Sequence, residues 1–231
     1  MKLLFILSFV LLASCASTER HNILGTNYGW NKEDKDVKIL IDAKVDSLRV
    51  RKVRMKSIDC TDGYIEHIEM DGPIGPDSTA IVEKILPKIK PCYNKNGVKI
   101  VPRIFMSSGG GLLADGYNMG RLFKKYDAQT IITGGQKCSS SCAIAFLGGK
   151  YRTINHNGEI LFHSPYTKGM LAIDCTKKSD MDDLLNYYSE SIGERDANFL
   201  FDRTMSYCSN TTGWTLNADA AKIFGITNWP N

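Results

Sequence analysis

Three consecutive serines, Ser139, Ser140 and Ser141, lie between Cys138 and Cys142, directly ahead of the apolar run Ala143-Ile144-Ala145-Phe146-Leu147. If that run is a helix, a hydroxyl at its mouth sits beside backbone N–H groups with no partner inside the helix, in the favourable field of the helix dipole. There a serine can attack a carbonyl carbon and the oxyanion that forms can be held. His163, closing the apolar string Ile160-Leu161-Phe162, is a base able to take the serine's proton. A second loop, Ser107-Ser108-Gly109-Gly110-Gly111, leaves its backbone N–H groups open to a reacting group because it carries little side chain. Taken singly, the glycines read as a flexible turn and the serines as a helix cap. Their order, with a histidine downstream, is what points to nucleophilic catalysis. Composition alone does not choose among the three serines.

The remaining candidates are weaker. Cys138, Cys142, His156 and His163 superficially form a zinc grouping, but the seven-residue His spacing is wider than a finger uses and His163 belongs to an apolar strand. No metal and no cofactor is expected. His67 alternates with apolar neighbours, reading as a surface or interface residue; His156 lies in the turn Asn155-His156-Asn157-Gly158. Tyr187, Tyr188, Trp214 and Trp229 read as core or interface aromatics.

The elements that must hold these residues belong to a chain of 231 residues, 43% hydrophobic and 23% charged, a composition that excludes a disordered or collagen-like protein. The formal charge of +4 comes from both signs scattered along the chain, with no basic stripe to argue for nucleic acid. Met1-Lys2 and the apolar run from Leu3 to Leu12 read as a secretory signal, too short to span a bilayer as a mature helix. Leu12-Ala13-Ser14-Cys15 resembles the lipobox of bacterial lipoproteins. The expected organisation is a signal peptide over 1–14, lipidated Cys15 opening a tether over 15–36, and one α/β domain over 37–231 that begins with a hairpin in 37–62. Such a chain would be exported and anchored in the cell envelope, on the periplasmic face of an outer membrane if the cell has one. Of seven cysteines, six then remain, and an even set in an exported chain favours disulfides. Sequence order pairs Cys60 with Cys92 and Cys175 with Cys208, without fixing the connectivity; Cys138 and Cys142 pair only if Cys138 lies outside the helix.

Within the domain, Val37–Asp42 and Leu48–Met55 alternate as an antiparallel hairpin does. From Gly63 onward strands and helices take turns. Tyr64–Met70 is a strand and Asp77 or Ser78 caps a helix carrying Ile81, Val82, Ile85, Leu86 and Ile89. Val98–Met106 is the next strand, followed by a helix with Leu112, Leu113, Tyr117, Met119 and Leu122. Thr130–Thr133 is a short strand, Gly134 to Ser141 a small-residue turn, and Cys142–Leu147 a compact helix. Ile160–His163 is a further strand; a charged helix from Asp180 to about Tyr207 and another from Asn217 to Phe224 complete the chain. The alternation predicts a mostly parallel sheet with crossover helices, whose ligands gather at the carboxyl ends of strands.

These strings resemble the Clp protease proteolytic subunit and its ClpP/crotonase superfamily, particularly its exported bacterial members, over roughly 160 residues from about Glu69 to Asn228. Ser108-Gly109-Gly110-Gly111 with Ala114-Asp115-Gly116 is similar to the Ser-Pro-Gly-Gly loop and its helix. Cys138-Ser139-Ser140-Ser141-Cys142-Ala143 is similar to the Cys-x-Ser-x-Cys string of the exported branch, and Ile160-Leu161-Phe162-His163-Ser164-Pro165 to the strand bearing the catalytic histidine. Leu216–Ala221 with Phe224-Gly225-Ile226 looks like the closing helix and strand. The resemblance implies a ClpP/crotonase-like α/β fold and a serine peptidase or hydrolase cleaving a peptide or acyl bond. It makes Ser140 the nucleophile and His163 the base, with N–H groups of Gly110 or Gly111 and Ser141 as oxyanion hole, and it implies a homo-oligomer. Gly109 replaces the loop's proline. The triad Asp is expected about seven residues before Leu216, where Ser209 and Asn210 stand; Asp202 and Asp196 are near but match no motif. A Ser-Lys dyad using Lys137 or a more distant lysine is a further option of the superfamily, and a catalytically silent protein that binds or assembles through the same cleft is the alternative to hydrolysis.

Overall fold

The structure, a computed structural model, describes residues 36–169 and 172–229; the expected signal segment, Cys15 and the tether up to residue 35 lie outside the described residues. Alternating side chains build β1 (Val37–Val45) and β2 (Leu48–Lys56), an antiparallel hairpin with a register shift between Ile39 and Ile41. β2 also pairs antiparallel with β3 (Tyr64–Asp71), so the hairpin is the flank of the main sheet and not an appendage. Next come α1 (Ser78–Ile85) and a small ribbon of β4 (Cys92–Tyr93) and β5 (Lys99–Ile100). β6 (Arg103–Ser107), α2 (Leu113–Lys125), β7 (Gln129–Ile132), β8 (Lys137–Ser139), α3 (Ser141–Leu147) and β9 (Tyr151–Ile154) follow. The chain continues through β10 (Glu159–Phe162), the ribbon β11 (Tyr166–Lys168) and β12 (Ile173–Cys175), α4 (Asp182–Ile192), α5 (Glu194–Met205), β13 (Trp214–Leu216) and α6 (Ala218–Ile223).

The main sheet has six strands in the order β1-β2-β3-β6-β7-β9, antiparallel up to β3 and parallel from β3 to β9. A second sheet, β13-β10-β8, pairs β10 parallel with β8 and antiparallel with β13. All four residues of β7 are buried, as expected of a parallel strand covered on both faces. All seven residues of α3 are buried too. That short helix is the centre of the core, and the Tyr187 hydroxyl of α4 donates to the Ile144 carbonyl at 2.8 Å. Three disulfides are present among the described residues: Cys60–Cys92, Cys175–Cys208 and Cys138–Cys142, the last possible because Cys138 stands on β8 and not in the helix.

Several expectations are corrected. The single helix over 180–207 is two helices, broken at Gly193 (φ 87°). The strand over 98–106 is interrupted at Pro102, which lacks an N–H for a ladder and instead offers its carbonyl to the Gln129 N–H at 2.8 Å. The small-residue turn before α3 contains β8, and β9, β11 and β12 are additional strands. His67 is not a surface residue: it is 3% exposed, its Nε2 lies 3.2 Å from Glu69 Oε1, and its ring meets Phe105 edge-on at 4.8 Å. Its strand is flanked on both sides, by β2 and β6, so alternation with apolar residues there did not mean exposure.

Candidate active site

The chain turns from β8 into α3 at Ser140, whose backbone torsions are φ 57° and ψ −125°. L-residues rarely adopt that region, and holding one there costs of order 1–3 kcal/mol. The turn is fixed on both sides: the Ser140 N–H donates to the Leu161 carbonyl at 2.9 Å, and the Ser140 carbonyl accepts from the Ile144 N–H at 3.1 Å. The Ser140 side chain makes no capping bond to the helix it precedes. The glycine loop is laced to the same strand, with the Ser108 N–H donating to the Lys137 carbonyl and the Ser139 N–H to the Ser108 carbonyl, both at 2.9 Å. Only glycine fits at position 110, where φ is 94° and a Cβ would lie 2.6 Å from the Ser140 Cβ and from the Ser139 carbonyl oxygen.

The expected oxyanion donors differ in their state. The Gly110 N–H already donates to Ser108 Oγ at 3.0 Å. The bridge between this loop and Ile74 uses the Gly110 carbonyl and the Leu112 N–H, leaving the Gly111 N–H without an acceptor among the described residues. The Ser141 N–H, in the first turn of α3, has none either. The Ser141 hydroxyl is buried and unpaired, so this residue's accessible polar contribution is its backbone.

His163 follows β10 and lines the same cavity of about 250 Å³ as Ser140, Ser141 and Gly111. Its Nδ1 lies 2.9 Å from the Ser164 carbonyl. A carbonyl only accepts, so Nδ1 carries the hydrogen, and Nε2 is the nitrogen that offers a lone pair in the neutral form of the ring. No hydrogen bond joins the Ser140 and His163 side chains, a contact of the kind that often tightens only once substrate is in place. The cavity's walls include Leu112, Leu113, Ile144, Phe162 and Leu184, with Tyr188 and Thr204 deep in it. Burial drives the Tyr188 phenol above its ordinary range, and its hydroxyl is 3.2 Å from Thr204 Oγ1; this wall is neutral.

Asp202 is tied to Lys178 on the surface and Asp196 to Arg195 at 3.0 Å; neither lines the cavity, whereas Asn210 does. Lys137 pairs with Glu159 at 3.2 Å and no lysine lines the cavity. Cys138 and Cys142 are bonded to each other, which removes both as metal ligands, and among the described residues no cluster of three His, Cys, Asp or Glu side chains could hold a metal ion. The contacts of the Ser164 carbonyl with His163 and of Ser108 Oγ with Gly110 have no sequence signal. Only Asn210 has one, standing near the position of the missing Asp.

No protein-family model matches the chain, and neither does any curated protein. Solved structures do. One is the 1510-N membrane-bound stomatin-specific protease in a serine-to-alanine variant, with TM-score 0.53 and 12% identity over 69% of this chain and 75% of that one. Another is a lysine-to-alanine variant of the same protease in complex with a substrate peptide, with TM-score 0.52 and 13% identity over 69% of this chain and 71% of that one. ClpP1 from Listeria monocytogenes aligns at TM-score 0.49 with 18% identity, over 69% of this chain and 86% of that one. At such identities the likeness is one of architecture: the chain has a ClpP-like α/β fold.

Proposed function

We propose that this ClpP-like chain is a serine hydrolase of the cell envelope, cleaving a peptide or acyl bond at Ser140 and held to the membrane by a lipid on Cys15. The observation that carries the reading is the backbone of Ser140. A serine serving merely as a helix cap takes extended torsions and bonds its side chain to the first-turn N–H groups. Ser140 does neither, and it opens onto the cavity shared with His163.

In this reading His163 Nε2 takes the Ser140 proton as Oγ bonds to the substrate's carbonyl carbon. The oxyanion is met by the N–H groups of Ser141 and Gly111, and by that of Gly110 once the Ser108 hydroxyl rotates away. His163 then gives its proton to the leaving amine or alcohol, and the bond to that group breaks. Water attacks the acyl-serine with the same histidine as base, releasing the acid and restoring Ser140. The Ser164 carbonyl keeps the tautomer, but a neutral acceptor stabilises the imidazolium less than a carboxylate does, so turnover is modest. The apolar walls favour an apolar group beside the scissile bond, and the substrate peptide bound to the stomatin-specific protease supports a peptide as substrate. Assembly of several copies belongs to the same proposal.

The test is labelling of the lipid-anchored protein with a fluorophosphonate, together with turnover of a peptide library. Ser140→Ala is expected to abolish labelling and lower turnover by about 10³-fold or more, while Ser139→Ala and Ser141→Ala change either far less. One set of contacts favours a second reading, a silent binding module: the Gly110 N–H is engaged and, among the described residues, no carboxylate bonds His163. Absence of labelling in the parent protein decides for it.

A further inference from the structure

We infer that the Cys138–Cys142 disulfide is a positioning device for the nucleophile, holding Ser140 in its attacking backbone conformation and out of the helix-cap conformation; the inference rests on the hydrolase reading above. The three disulfides are unequal. Two join residues 32 and 33 positions apart, and this one spans four. Restraint of the unfolded chain grows with the loop closed, so the short link contributes least to overall stability by that route. Its local effect is the reverse. It ties the middle of β8 to the first turn of α3, and Ser140 is the midpoint of the five residues it closes.

The surrounding hydrogen bonds hold the ends of the turn: the Ser140 N–H to Leu161, its carbonyl to Ile144, and Ser139 to Ser108. A left-handed torsion on a residue with a Cβ persists only when its surroundings over-determine it. Without the link, a relaxed state is close at hand. Ser140 becomes extended, its Oγ accepts from the unpaired N–H groups of the first turn of α3, and the hydroxyl is spent as a cap. The covalent link excludes that state. Both cysteines are fully buried, 0% and 1% exposed, so they act through this restraint and not by touching substrate.

The experiment replaces the pair in the full-length protein, as Cys138→Ala/Cys142→Ala and as the volume-restoring Cys138→Val/Cys142→Ala. The expected result is a fall of about 10- to 100-fold in the maximal rate of fluorophosphonate inactivation, with little change in the inhibitor concentration giving half that rate. Cys60→Ala/Cys92→Ala, in a satellite cluster remote from the cavity, is expected to lower the melting temperature and keep the parent's labelling rate below it. A readout independent of activity is Ser140→Gly. It relieves the torsion and raises the melting temperature in the parent background, but not in the cystine-free one, where the turn has already relaxed. Parental inactivation rates in the folded cystine-free variants, or equal effects of Ser140→Gly in both backgrounds, overturn the inference. So does loss of the fold in both double variants, which assigns the link to global stability. If the parent itself does not label, the hydrolase reading fails, and the Ser140→Gly comparison still decides whether the cystine holds the turn.

Discussion

The serine run and His163 stand out by residue type and order, and Ser140 within the run by the resemblance alone; the group that meets His163 Nδ1 does not stand out, because a main-chain carbonyl carries no residue-type signature. The acidic side chains nearest in sequence, Asp202 and Asp196, are already engaged at the surface by Lys178 and Arg195. The burial of His67 is likewise invisible to local alternation: strand order places it beside Glu69, which Arg51 also meets, on a buried sheet face. The same strands carry a residue whose energetics can be tested. Burial by itself would raise the Glu66 carboxyl, but the Lys90 N–H (2.9 Å), Lys52 (2.9 Å) and Arg54 (2.6 Å) outweigh it and hold the group below its ordinary value. A carboxyl depressed in the fold contributes fully above the unfolded chain's value, about 4.5, and that contribution is lost as pH falls through the lower, folded value. Glu66→Gln is therefore expected to cost roughly 3 kcal/mol at neutral pH, with the gap to the parent closing as the medium is acidified below about pH 4; urea unfolding at a series of pH values measures both.

At Gly120 and Gly148 the backbone of α2 meets the end of α3 with no room for a side chain on Gly148, and Tyr187 of α4 packs against Gly120. A Cβ on Gly148 would lie 2.1 Å from the Gly120 carbonyl oxygen, and one on Gly120 would lie 1.9 Å from the Tyr187 hydroxyl. Gly148→Ala meets backbone, which cannot swing aside, and is expected to destabilise by about 2–3 kcal/mol in denaturant unfolding while the far-UV spectrum keeps its helix content. At this scale periodicity revealed the N-terminal hairpin, α1, α2, α3 and the closing helix capped by Asn217, whose Oδ1 accepts the Ala220 N–H at 2.9 Å. It failed where punctuation was a single residue. Gly193 splits a run whose charges and apolar positions continue smoothly across it, and Pro102 divides a run of strand-forming residues. β8 was hidden because its three residues, Lys-Cys-Ser, have no apolar alternation; they are a strand only because Ile160 and its neighbours supply the ladder.

Across the whole molecule, one side chain joins segments far apart in sequence. Arg152 is buried on β9, and its guanidinium donates to the carbonyls of Ile226 (2.7 Å), Gly225 (3.2 Å), Gly149 (3.1 Å) and Ser191 (3.2 Å). Burial pushes it down to about 10, so it remains charged at neutral pH. Arg152→Met is expected to cost roughly 3 kcal/mol or more, because it leaves four carbonyls short of donors, and to expose residues 225–229 to early proteolysis; limited digestion with mass mapping checks this. The order of strands and helices conveyed the fold class, but the division into two sheets was not legible, since β10 is as apolar as a main-sheet strand. That division also sets a timetable. Along the main sheet the strands follow the order of the sequence, so a chain appearing from its N-terminus can add each one to an existing edge. β8 is already laced to the glycine loop, but its ladder partner β10 comes later, and β10 is flanked on its other side by β13, which begins at Trp214. The small sheet beside Ser140 is thus complete only when the last thirteenth or so of the chain arrives, so under the hydrolase reading proposed above the site is finished after the main sheet that carries it.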